Sequence, residues 1–215
     1  LIYRSSDKGI SVGQGSEVIA LRNLIVGCAL GVGVKDKGSY IEMIQNTLVD
    51  NTIAVAAYEK NLLKGGGKAL VDSCIMASSG QSPLFADALS SIQAQYCLSD
   101  QQPIDGAFNR VAEVGFRDPF AYNFELAITS PALNQGNPAL PADPDGTQAD
   151  IGAYYLYQPE DYPFVAEHAV VINELLAHSH DAEPDWIELY NQSGHDVDLT
   201  GWYLSDDGDN LRKYA

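Results

Sequence analysis

Gly9-Ile10-Ser11-Val12-Gly13-Gln14-Gly15, Gly31-Val32-Gly33-Val34-Lys35-Asp36-Lys37 and Ala54-Val55-Ala56-Ala57-Tyr58-Glu59-Lys60 align without gaps, and that alignment decides the fold. Ile10, Val32 and Val55 fall in one column at intervals of 22 and 23 residues; Val12, Val34 and Ala57 fall in the next inward column at the same spacing. Alternation with period two marks each stretch as a strand with one buried face. A second set of columns comes from Asn23-Leu24-Ile25-Val26, Asn46-Thr47-Leu48-Val49, Ser73-Cys74-Ile75-Met76 and Tyr96-Cys97-Leu98, at intervals of 23, 27 and 23. An insertion around Gly65-Gly66-Gly67 takes up the longer interval. Short strands, polar turns and a fixed period in the low twenties describe a solenoid. Hairpins of an antiparallel sandwich would not repeat one pattern at that spacing.

Equivalent positions of a β-coil stack about 4.8 Å apart, so each column buries like against like. The Asn23/Asn46 column suits a tight corner, where Asn tolerates left-handed dihedrals and bonds the neighbouring coil. Cys74 and Cys97 share a column in adjacent coils. Their spacing is compatible with a disulfide, and stacked parallel side chains are more often free buried thiols. Cys28 is the one other cysteine; three, with no CxxC pair, argue against a disulfide scaffold or a zinc site.

Pro159, Glu160, Asp161 and Pro163 read as a linker, and the pattern changes beyond them. Ile172-Asn173-Glu174-Leu175, Asp185-Trp186-Ile187-Glu188-Leu189-Tyr190-Asn191 and Leu199-Thr200-Gly201-Trp202-Tyr203-Leu204 are short strand-like runs separated by polar turns, which indicates a sandwich.

These residues carry two resemblances. The repeats, together with Asp118-Pro119-Phe120, Ser130-Pro131-Ala132-Leu133-Asn134-Gln135-Gly136, Asp143-Pro144-Asp145-Gly146-Thr147 and Asp150-Ile151-Gly152-Ala153-Tyr154, resemble bacterial right-handed parallel β-helix proteins of the pectate-lyase-like superfamily and the block that closes many of them. The three runs of the last module resemble the lamin-tail domain, an immunoglobulin-like sandwich of about 100 residues. The expectation is an all-β chain: the C-terminal rungs and closing segment of a right-handed parallel β-helix over residues 1–157, a linker over 158–168, and the N-terminal part of an immunoglobulin-like β-sandwich over 169–215. Leu1-Ile2-Tyr3-Arg4 reads as mid-strand and Tyr214-Ala215 as unfinished, so both ends look cut and other domains of a longer chain are expected partners. An extracellular or cell-surface location is implied by the resemblance; no signal peptide is visible.

Hydrophobic content of 46% with 19% charged residues is that of a folded protein. The net charge of −17, from 29 acidic and 12 basic residues, excludes a phosphate-backbone partner and favours divalent cations. No apolar run approaches the roughly 20 residues that span a bilayer.

On the strands' outward face, the column Gln14, Asp36, Glu59 lies beside Gly15, Lys37, Lys60, with Tyr58 adjacent. Asp36, Lys37, Tyr58, Glu59 and Lys60 are therefore the candidate carbohydrate contacts; the plainer reading is a solvated face with weak ion pairs. Asp143, Asp145 and Asp150 are the candidate Ca2+ ligands, because Asp-x-Asp-Gly opens calcium loops. The closing Glu of an EF-hand is missing and a turn is the simpler reading. Asp206, Asp207 and Asp209 raise the same question, and His178, His180, Glu183 and Asp185 have metal-ligand spacing. No nucleophile elbow, Walker loop or His–Cys dyad is present, and the arginines do not cluster beside an acidic pair. These observations point to a non-catalytic surface scaffold or adhesion module that contacts polysaccharide or other cell-surface components. The alternative is a polysaccharide lyase or hydrolase whose cleft lies on rungs upstream.

Overall fold

The computed structural model describes residues 1–158, 170–176, 186–191, 197, 199 and 202–205. The chain divides into two compact units, Leu1–Gln158 and Pro159–Ala215. In the first, β1 (Ile2–Tyr3), β2 (Lys8–Val12) and β3 (Glu17–Leu21) make one coil. The next coils are β4 (Leu24–Val26), β5 (Leu30–Lys35) and β6 (Tyr40–Ile44), then β7 (Thr47–Val49), β8 (Ile53–Tyr58) and β9 (Lys68–Asp72). The fourth is β10 (Ile75–Ala77), β11 (Ser82–Ala86) and β12 (Ser91–Gln95), after which β13 (Leu98–Ser99) and β14 (Arg110–Val111) extend one side only. The strands stack into three parallel sheets, β1-β4-β7-β10-β13-β14, β2-β5-β8-β11 and β3-β6-β9-β12, as in a three-sided parallel β-helix. The inward columns pair as the repeat requires: Ile10 with Val32 and Val32 with Val55, Val12 with Val34 and Val34 with Ala57.

The first sheet behaves differently from the other two. Ile25, Leu48 and Met76 face the interior of the coil, while Leu24, Val26, Val49, Ile75 and Ala77 face outward and are also buried. They are covered by residues 114–151, through Val114, Phe124, Leu126, Ala132 and Ile151. That segment contains a hairpin of β15 (Phe116–Asp118) and β16 (Asn123–Leu126). The stretch expected to close the helix thus lies along its flank: Ala153 N–H donates to Thr47 Oγ1 (2.9 Å) and Gly152 N–H to the Ser73 carbonyl (2.9 Å). Ile104, from the loop after β13, packs into the interior cluster instead.

Burial on both faces explains one register error. The alignment of Asn46 with Ser73 is corrected to Asn46 with Cys74, because Thr47 pairs with Ile75 and Leu48 with Met76, an interval of 28. A slip of one residue exchanges the two faces of a strand, and apolar patterning forbids it only when one face is wet.

The register is fixed instead by a hydrogen-bonded ladder along Asn23, Asn46, Cys74, Cys97 and Asn109. Asn23 N–H donates to Asn46 Oδ1 (2.9 Å), Asn46 N–H to Cys74 Sγ (3.3 Å) and Cys97 N–H to Asn109 Oδ1 (2.8 Å). In return Asn46 Nδ2 donates to the Ala20 carbonyl (2.8 Å) and Asn109 Nδ2 to the Ala94 carbonyl (3.1 Å). The Cys74 and Cys97 thiols face the equivalent carbonyls of Met43 (3.7 Å) and Val71 (3.5 Å). Both are free. Burial pushes the Cys74 thiol up to about 12 and raises Cys97 as well. The left-handed corner lies one residue before this column, at Arg22, Gln45, Ser73, Tyr96 and Phe108, so the asparagines serve as acceptors and donors and do not make the turn.

In the second unit β17 (Val170–Leu176) and β18 (Trp186–Asn191) pair antiparallel, with Leu176 opposite Trp186 and Ile172 opposite Leu189. No helix among the described residues is long and apolar enough to cross a membrane.

Candidate functional site

The structure splits the predicted polar cluster in two. Ser11, Gly33 and Ala56 pair across β2, β5 and β8 on the outward face of the second sheet, giving a floor of small side chains. Small residues there let long stems lie flat. The Lys8 side chain, only 8% exposed, passes over Gly33, where an added Cβ would stand 2.8 Å from its Cδ. Its ammonium donates to the Asp7 carboxylate. Lys35 crosses Gly13 and donates to Ser11 Oγ (2.8 Å), and it pairs in register with Tyr58. The hydrogen bond from Lys8 holds the Asp7 carboxyl below its ordinary range, with Lys60 and Lys35 adding to the effect. The hydrogen bond to Asp7 raises Lys8 in turn, and Tyr58 adds to that rise. Tyr58, in register with Lys35, thus shares a face with Ser11 and the Lys8 and Lys35 stems, while Lys60 lies beyond the end of β8. The signal for these partners in the sequence is a glycine (Gly13, Gly33) one coil away from each lysine.

Asp36, Lys37 and Glu59 belong to the corner between the second and third sheets. Asp36 is left-handed (φ 68°) and its N–H donates to the Tyr58 carbonyl (3.3 Å). Glu59 is committed to the backbone: its Oε1 accepts from Gly65 N–H (2.7 Å), and its N–H donates to Asp87 Oδ2 (2.6 Å). Lys37 meets the insertion, donating its N–H to the Lys64 carbonyl (2.8 Å), so the expected Lys37/Lys60 column does not form. The ion pairs among the described residues are Lys8–Asp7, Arg22–Asp143 and Arg117–Glu125, none of them between the predicted acid and base columns.

The structure does bring Asp143 and Asp150 together, but as fasteners of the flanking segment. Asp143 Oδ1 accepts from Arg22 Nη2 (2.8 Å) and its Oδ2 from Asp150 N–H (2.7 Å). Asp145 accepts from Thr147 N–H (3.1 Å), Thr147 Oγ1 (2.7 Å) and Gln158 N–H (2.6 Å). Asp150 accepts from Asn134 N–H (2.6 Å) and Leu156 N–H (2.8 Å). Burial raises the Asp150 carboxyl, with the two N–H donors opposing. Burial acts the same way on Asp145, and there the N–H donors, Gln158 foremost, outweigh it and lower the carboxyl. Oxygens already aimed at N–H donors do not converge on a cation, and this arrangement does not fit Ca2+. No group of three or more His, Cys, Asp or Glu among the described residues is placed to hold a metal ion. His178, His180, Glu183, Asp185, Asp206, Asp207 and Asp209 lie outside the described residues.

In the second unit Val171, Ile172, Leu189, Leu199, Trp202 and Leu204 line an apolar cavity of 290 Å³ beside the β17–β18 ribbon. An apolar face on paired antiparallel strands is half of a sandwich core. Residues 165–215 match the family model of the Lamin Tail Domain. No curated protein and no solved structure matches the chain. Both described strands of the second unit fall inside the Lamin Tail Domain match. The Trp202 indole N–H, buried without a partner within the described structure, belongs to this segment's cavity wall.

Proposed function

We propose that this chain is a non-catalytic extracellular or cell-surface scaffold: a rigid β-helix that carries a Lamin Tail Domain segment and contacts carbohydrate through the outward face of its second sheet. The observation that carries the reading is the face itself, where the Lys8 and Lys35 stems cross the flat floor of Ser11, Gly33 and Ala56 beside Tyr58, with Lys60 just past the strand end, in a strongly acidic protein. Ammonium groups recognise the carboxylates or sulfates of an acidic polysaccharide, and the tyrosine ring supplies an apolar body with a polar tip. The scaffold role is supported by the use of Asp143, Asp145, Asp150 and Glu59 as acceptors for backbone N–H groups. The resemblance of residues 1–157 to pectate-lyase-like β-helices supports an extracellular polysaccharide setting.

Binding of the full chain to immobilised polygalacturonate, dextran sulfate and neutral dextran tests this. Retention on the acidic polymers, weakened by Lys35→Gln with Lys60→Gln, is expected. Equal retention on neutral dextran, or no change in the variant, removes this face as an acidic-polysaccharide site; no retention on any of the three polymers removes the carbohydrate reading. Release of unsaturated sugar from polygalacturonate would establish a lyase in its place.

A further inference from the structure

Six of the seven lysines, at positions 8, 35, 37, 60, 64 and 68, fall within the first 68 residues of a chain that carries 29 acidic groups. At the centre of this sector the insertion after β8 exposes two consecutive leucines, Leu62 at 85% and Leu63 at 90%. The insertion is tethered at its base. Lys64 N–H donates to the Asn61 carbonyl (3.0 Å), Lys37 N–H to the Lys64 carbonyl (2.8 Å), Gly65 N–H to Glu59 Oε1 (2.7 Å), and Gly66 bridges Lys35. Leu63 is held at φ 67°, a left-handed conformation that a large side chain rarely adopts. A fastened turn that strains one leucine and wets two is not explained by folding.

We propose that Leu62 and Leu63, flanked by Lys37, Lys60 and Lys64, form a docking tip for an anionic lipid surface. Chemistry and size select this occupant. A polysaccharide offers no apolar medium in which to bury leucine side chains. A stable protein partner needs about 800 Å² on each side, far more than a two-leucine convex tip presents. A bilayer boundary takes up small apolar tips, and lysines beside them gain from anionic headgroups. The acidic remainder of the chain, repelled by the same headgroups, orients this corner toward the membrane.

Co-sedimentation of the full chain with phosphatidylcholine vesicles, with and without about one-third phosphatidylglycerol, tests the proposal. Binding to the anionic vesicles should exceed that to neutral ones by roughly tenfold at low salt and collapse as added salt shortens the Debye length. Leu62→Ser with Leu63→Asn, and separately Lys60→Gln with Lys64→Gln, should each weaken it roughly tenfold while the far-UV spectrum stays unchanged. Absence of binding to the anionic vesicles overturns the proposal, as does binding that the leucine variant leaves intact. Polysaccharide retention should survive the leucine variant, which separates this site from the lysine–tyrosine face.

Discussion

Replacing Asn46 tests the ladder that sets the coil register. Asn46 is fully buried; its Oδ1 accepts from both the N–H and the Nδ2 of Asn23, and its Nδ2 donates to the carbonyls of Ala20 and Ile44. Asn46→Ala strands at least the Asn23 N–H and the Ala20 carbonyl. A buried unsatisfied group costs about 1–3 kcal/mol, so the pair should cost about 2–6 kcal/mol. For a chain of this size that is a fall in Tm of roughly 4–24 °C. Asn46→Cys should cost less than half as much, because Cys74 and Cys97 already fill the same role, with sulfur accepting one N–H and the thiol facing one carbonyl. Thermal and urea unfolding of the three proteins, monitored by far-UV circular dichroism, provides the comparison. If Asn46→Cys is as damaging as Asn46→Ala, the two residue types are not equivalent and the ladder reading is wrong.

Gly106 sits at φ 126° with an added Cβ only 1.9 Å from the Ala94 carbonyl oxygen, so Gly106→Ala should cost about 3 kcal/mol or more. Gly15, at φ 75° with nothing near a Cβ, is the control, and Gly15→Ala should cost about 1 kcal/mol; equal losses in urea unfolding would refute the steric argument. Cys28, Cys74 and Cys97 are all buried and free, so Ellman's reagent should find no reactive thiol at pH 8 in the native protein and three in guanidinium. Rapid labelling before unfolding would contradict that burial. The Asp145 carboxyl is lowered by its N–H donors, so its stabilisation is complete above the ordinary carboxylate pKa of about 4 and is lost as pH falls through the lower folded value. Asp150, being raised, contributes in the opposite sense, its protonated form being the one the fold favours. Asp145→Asn should therefore lower Tm at pH 7 and leave it near wild type at pH 2; an equal loss at both would show that charge is not involved.

The second sheet was legible in the sequence because its large apolar residues alternate with small outward ones, whereas the third, built from Glu17–Leu21, Tyr40–Ile44 and Lys68–Asp72, was not read as a set of columns. Val32 and Val34 stack on Val55 and Ala57 in the register that their alternation requires. The first sheet was less legible because Leu24-Ile25-Val26 and Ile75-Met76-Ala77 are apolar throughout, and a covered sheet leaves no polar phase against which to set the register. The place of Lys8 and Lys35 on the second sheet was not legible, because the glycines that let their stems cross the sheet act from the neighbouring coil.

The sequence by itself determined the coil, because a repeat of 22–23 residues with alternating apolar columns has few other ways to bury its face. It also determined the change of module near residue 160 and the sandwich character of the C-terminal module. Only the tertiary structure decided where residues 114–158 go and what the acidic residues do. Asp143 meets Arg22 across 121 positions of chain, and Gln45 Nε2 reaches the Asp150 carbonyl across 105. Contacts of that range leave no local periodicity, so the carboxylates that read as cation ligands became visible as fasteners only when the donors they serve were brought beside them.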